Sequence, residues 1–119
     1  MVPQNLRYTS DHEWARAEGT EIYVGVTGYA SEQLGDIVYV EVPQNGDDVT
    51  QGEPFGTIES TKSVSDLISP VTGVVVEGNT DLLQQPQIVN EDPYGDGWIM
   101  RMTPESMDEL EELMSAVEY

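Results

Sequence analysis

The chain has 119 residues, 38% of them hydrophobic, and 23 acidic side chains against four basic ones, for a formal net charge of −19. Such a charge repels phosphates and anionic membrane surfaces, which excludes nucleic-acid or membrane binding through a basic patch and leaves partners that are neutral or basic at the contact. Cysteine is absent and His12 is the one histidine, so disulfides, thiolate metal sites, cysteine nucleophiles, histidine-cluster zinc sites and a Ser-His-Asp triad are excluded as well. The length suits a single domain, residues 1–119, with one sizeable core. The acidity reads as adaptation of the whole surface to concentrated salt, where screening removes self-repulsion. No apolar run long enough to span a bilayer and no leader pattern is present, and the expectation is a cytoplasmic monomer.

In chain order, "TEIYVGV" at 20–26 alternates Ile22, Val24 and Val26 against Tyr23 and Gly25, the period of a half-buried strand. Residues 28–34 follow a capping candidate, Thr27, and precede Gly35, which predicts a two-turn helix. "IVYVEV" at 37–42 alternates Val38, Val40 and Val42 against Ile37, Tyr39 and Glu41, again a strand. Asn45-Gly46 is a tight hairpin-turn signal. Further strands are expected at 54–60, 64–69 and 73–77. "EDPYGDG" at 91–97 departs from an EF-hand in spacing and contains a proline, so it reads as a turn with no metal.

"GWIMRM" at 97–102 places Trp98, Met100 and Met102 on one face and Ile99 and Arg101 on the other, a last strand. Then Thr103 offers a cap, Pro104 fits a first helical position, and Met107, Leu110, Leu113, Met114 and Val117 recur on one face. That pattern predicts a C-terminal helix over 104–117 packed on the sheets. Short strands with frequent turn signals, ended by one helix, argue for a mainly β fold: a flattened, barrel-like sandwich of two antiparallel sheets. The carboxylate pairs Asp47-Asp48 and Glu111-Glu112 read as solvated surface, and no enzyme activity is expected from them.

Lys62 is the only lysine, and it falls between the expected strands 54–60 and 64–69. A residue at a hairpin tip is covered by no neighbouring strand and is reachable by another protein's active site. Thr61 and Ser63 beside it are small, and Ile58, Leu67 and Ile68 would anchor the flanking strands. The competing reading is a solvated lysine paired with Glu59 or Asp66.

"ESTKSVSDLISPVTG" resembles the lipoyl-lysine hairpin of the glycine cleavage H proteins, and the likeness extends to "YTSDHEW", "GYASEQLGDIVYVEVP" and "NEDPYGDGW". It implies a barrel-sandwich hybrid fold and a non-catalytic carrier, with lipoic acid in amide linkage to Lys62 and with Glu59, Ser60, Thr61 and Ser63 as flanks of the modification motif. The implied partners are glycine decarboxylase (the P protein), which loads an aminomethyl group; aminomethyltransferase (the T protein), which takes the methylene to tetrahydrofolate; and dihydrolipoyl dehydrogenase (the L protein), which reoxidises the arm. A lipoate ligase or lipoyl transferase would attach it. Glu13, Asp66 and Asp11 correspond to positions that would hold the loaded, cationic arm against the protein. His12 and Trp14 read as packing and hydrogen-bonding residues. Relay of lipoyl groups to other enzymes is an alternative role. A biotin carrier fits less well, because that family has methionine where Thr61 and Ser63 stand, and a 2-oxo acid dehydrogenase lipoyl domain has an acidic residue before its lysine.

Overall fold

The indole of Trp14 lies over Gly25, its partner in the sheet register, where a β-carbon would come within 2.6 Å of the ring. Only glycine leaves room there, and the indole is fully buried, with Nε1 donating to the Pro93 carbonyl at 2.9 Å. Burying a side chain of that size contributes about 3 kcal/mol, so this pair fixes the start of the chain against its neighbour.

The computed structural model describes Pro3 and residues 5–119. These form β1 (Arg7–Tyr8), β2 (Glu13–Glu18), β3 (Glu21–Val26), α1 (Gly28–Leu34), β4 (Ile37–Val40), β5 (Asp48–Val49), β6 (Pro54–Ser60), β7 (Val64–Ile68), β8 (Gly73–Gly78), α2 (Asp81–Gln84), α3 (Ile88–Glu91), β9 (Met100–Pro104) and α4 (Asp108–Glu111). Two antiparallel sheets result, one of six strands in the order β1-β2-β3-β9-β8-β5 and one of three in the order β4-β6-β7. This is the mainly β, two-sheet sandwich expected from the sequence, and neither sheet closes into a barrel. Val24, Val75, Met100 and Met102 form one part of the core, and Val40, Ile58, Leu67 and Ile99 another. Phe55 packs against both. Among the described residues, no helix is long and apolar enough to cross a membrane.

The helix α1 follows its local signals. Thr27 Oγ1 accepts from the Ala30 amide at 3.2 Å, and Gly35, at φ 80°, ends the helix with its own amide on Ser31 O. An L side chain is rare at such a φ, which is why glycine stands there.

Four expectations are corrected. The helix predicted over 104–117 shrinks to Asp108–Glu111. Pro104 stays in β9 opposite Gly73, and Met114 exchanges backbone hydrogen bonds with Tyr8 at 2.8 and 2.9 Å, so sheet partners claim the groups a longer helix would need. Leu110 and Leu113 still reach the core, whereas Met107 and Val117 are exposed. The turn at Asn45-Gly46 exists, with the Asp47 amide on Gln44 O at 3.0 Å, yet it carries the chain from β4 in one sheet to β5 in the other and makes no hairpin. In β4 a register shift between Ile37 and Tyr39 breaks the expected alternation, so Ile37 and Val40 point inward and Val38 and Tyr39 outward. The last strand starts at Met100, so Trp98 and Ile99 precede it.

Candidate functional site

The hairpin of β6 and β7 ends in a turn built by Ser60. Its hydroxyl oxygen accepts from the amides of Lys62 and Ser63, both at 3.1 Å, and its own amide donates to Ser63 O at 2.8 Å. The Thr61 amide donates to Asp36 O at 3.1 Å, which ties the tip to the segment between α1 and β4. Lys62 is thus presented, exposed, on a braced turn. Its stem crosses Gly35, where a β-carbon would stand 3.3 Å from Lys62 Cε. Among the described residues the side-chain ion pairs are Arg16–Glu18, Arg101–Glu21 and Arg101–Glu77. Lys62 joins none of them, so the pairing with Glu59 or Asp66 does not form.

Leu34, the neighbour of Gly35, lines a groove of about 310 Å³. One wall is α1, through Tyr29, Ala30, Gln33 and Leu34. Ser65, Asp66 and Leu67 of β7 and Asp11, His12 and Glu13 complete the lining. Asp11, Glu13 and Asp66 therefore meet around one cavity whose floor is apolar, with Val26, Ile58 and Leu67. No basic side chain except the single histidine lines it.

Local backbone geometry turns Glu13 inward. His12 takes φ 69°, and the reversal is held by the His12 amide on Thr9 O and the Thr9 amide on Glu13 O. The Glu13 side chain is 3% exposed. Its Oε1 accepts from the Thr9 hydroxyl at 2.7 Å and its Oε2 from the Ile68 amide at 3.3 Å on the outer edge of β7. Burial pushes its pKa up to about 7, against the opposing pull of those two hydrogen bonds. Asp11 and Asp66 are exposed. His12 Nδ1 lies 2.6 Å from the Tyr119 hydroxyl, which also lies 2.9 Å from Thr27 Oγ1, so the histidine braces the groove against the start of α1. Asp92 is occupied in its own turn, its Oδ2 accepting from the Asp96 amide at 2.9 Å.

The sequence profile of the glycine cleavage H-protein family matches residues 6–119. The chain belongs to that family. A glycine cleavage system H protein of Rubrobacter xylanophilus is 55% identical over 118 residues, spanning 99% of this chain and 91% of that one. One from Bacteroides fragilis is 52% identical over 117 residues, 98% and 93% of the two chains. The crystal structure of a glycine cleavage system H protein from Mycobacterium marinum superposes with a TM-score of 0.91 at 42% identity, covering 99% of this chain and 95% of that one.

Set against family membership, the flanking residues divide. Ser60 shapes the turn, Thr61 anchors it, and Ser63 closes it. Glu59 lies opposite Tyr39 and Val64 within the sheet and away from the groove. The sequence reading missed Gly35 as the surface under the lysine, Tyr29 as a groove wall, and Asp36 as the anchor of the tip. Gly35 was visible as a helix stop, and nothing in its context signalled a second role.

Proposed function

We propose that Lys62 carries lipoic acid through an amide at Nζ, and that the protein is the carrier of the glycine cleavage system, without catalysis of its own. The observation that carries this is the solitary lysine on a braced, exposed tip, its stem against Gly35, next in sequence to Leu34 of a groove that is apolar in its floor and has carboxylates in its lining. Lipoic acid would supply the two sulfurs that a cysteine-free chain lacks. One of them would bear the aminomethyl group of glycine between the P protein and the T protein, before reoxidation by the L protein.

The residues of the chain account for storage of that group. Val26, Ile58 and Leu67 match the aliphatic part of a lipoyl arm. Glu13, backed by Asp66 and Asp11, faces the place where a protonated amine would lie, and a carboxylate-ammonium contact out of bulk water is a strong hydrogen bond. Exclusion of water from the groove slows hydrolysis of the bound group. Glu13 is the central residue, because its two acceptor oxygens are already oriented by Thr9 and Ile68.

Intact-mass measurement of the native protein with peptide mapping tests the attachment. A lipoyl increment on Lys62 is the expected result, and Lys62→Arg is expected to abolish glycine cleavage in a reconstituted system. A biotin-sized increment, or full activity in the arginine variant, overturns the reading.

A further inference from the structure

The β4-β6-β7 sheet has a second face, turned away from the groove. Its register puts Tyr39 of β4 opposite Glu59 of β6, and Glu59 opposite Val64 of β7. Directly paired residues project to the same side of a sheet, so the three form one row across the outer face beside the lysine turn. Tyr39 is 43% exposed and Val64 63%, and the register shift in β4 adds Val38 at 51%. Tyr39 also lines a surface cleft of about 780 Å³ with Leu83, itself 48% exposed. Val64, two residues past Lys62, and Tyr39 thus flank Glu59 in this row, and Tyr39 adjoins a cleft of mixed polar and apolar lining. Several large apolar side chains exposed on one face among polar neighbours mark an interaction site, and tyrosine is among the side chains that anchor interfaces.

Charge narrows the partner. Arg16 and Arg101 are engaged with glutamates, and Arg7 donates to Leu113 O, which leaves Lys62 as the one free cation near this face among the described residues. Glu59 sits within the row and Glu41 lines the cleft beside Tyr39, and a chain of net charge −19 favours complementary, positively charged groups on whatever lands there. Any enzyme that acts on Nζ must reach the tip that this face adjoins. We propose that the outer face of the β4-β6-β7 sheet, centred on Tyr39 and Val64, is the docking surface for the enzyme that acylates Lys62, and that this enzyme presents an apolar floor ringed by basic side chains. The inference rests on the lipoylation reading above. In the reaction served, the neutral Nζ amine attacks the carbonyl of a lipoyl adenylate; the amide bond forms, the acyl-phosphate bond breaks with its electron pair leaving on AMP, and one Nζ proton is released to solvent. Ile58, Ser65 and Leu67 line the groove from the other side of the same strands, whereas Asp66 shares the outer side with Val64.

The test uses the full, unmodified chain with a purified lipoate ligase, lipoate and ATP, and reads acylation by intact mass. The double variant Tyr39→Ser with Val64→Ser is expected to raise the KM for the carrier about tenfold with kcat and the thermal midpoint unchanged, since neither side chain belongs to the core. An unchanged KM overturns the proposal, as does a KM rise seen only with glycine decarboxylase or loss of a self-association that the unaltered protein shows in sedimentation. Tyr39→Arg is expected to weaken acylation more than Tyr39→Glu; the reverse order removes the basic rim. Failure of the unaltered chain to accept lipoate at all would instead overturn the lipoylation reading, so the two failures are separate.

Discussion

Cε of Lys62 rests 3.3 Å from the point where a β-carbon on Gly35 would stand, and Gly35 itself holds φ 80°. One glycine thereby ends α1 and clears the path of the lysine stem. Gly35→Ala is expected to cost about 1–3 kcal/mol, because that backbone region is strained for any L side chain, and to slow acylation of Lys62 by displacing its stem. Denaturant unfolding and a lipoylation time course check the two effects, and a stable variant acylated at the normal rate would contradict both.

The buried carboxyl of Glu13 makes stability depend on pH in a definite direction. Its folded pKa of about 7 lies above the ordinary 4.5, so the folded chain holds the proton more tightly than the unfolded one. This contribution is fully present below pH 4.5, declines as pH rises, and is lost above about 7. The span corresponds to about 3 kcal/mol. Comparison with Glu13→Gln isolates it, because the other carboxylates cancel: the stability difference, unaltered minus variant, should fall through that window. A flat difference would show that Glu13 titrates normally.

Storage of the loaded arm is expected to depend on the same wall. Asp66→Asn removes one carboxylate at the rim without touching the core, and loss of the bound one-carbon group should accelerate about tenfold if that contact is worth the usual charge-assisted increment. Formaldehyde release from the loaded protein, followed over time, measures it. Glu13→Gln should accelerate release at least as much.

Ser60 supplies the acceptor for both tip amides. Ser60→Ala is expected to cost about 1 kcal/mol and to lower the acylation rate by loosening the turn, with Ser60→Thr retaining most of both. Equal acylation of the alanine variant would mean that the Asp36 tie alone braces the tip.

Gly25→Ala would bring a β-carbon to 2.6 Å from the Trp14 indole, and overpacking of that kind costs about 1–3 kcal/mol. A lower thermal midpoint and a red-shifted tryptophan emission are the expected readings.

Features fixed by neighbours in the chain were legible in the sequence. Thr27 and Gly35 bracket α1 as predicted, and the β6-β7 hairpin with Lys62 at its tip was readable from two apolar runs around a small polar turn. Features decided by distant partners were not. The segment after Pro104 has every local mark of a helix, yet Gly73 and Tyr8 recruit Pro104 and Met114 into sheet contacts, and non-local pairing overrides propensity. Asn45-Gly46 announced a turn correctly, but no local signal says that β4 and β5 belong to different sheets. β2 escaped notice because Glu13 faces inward among apolar neighbours, which spoils the alternation. That Asp11, Glu13 and Asp66 line one groove was not legible in the residues themselves, since no spacing rule links positions so far apart.

The backbone bridge between Tyr8 and Met114 joins the two ends of the described chain, and it has a bearing on synthesis. The hairpin with Lys62 can pair as soon as β7 emerges from the ribosome, whereas β1, whose neighbours in sequence include Asp11 and Glu13, gains its second partner only after residue 114 has emerged. Because a domain folds as a unit, the turn bearing Lys62 lies exposed on the nascent chain before the groove with Asp11 and Glu13 can be completed.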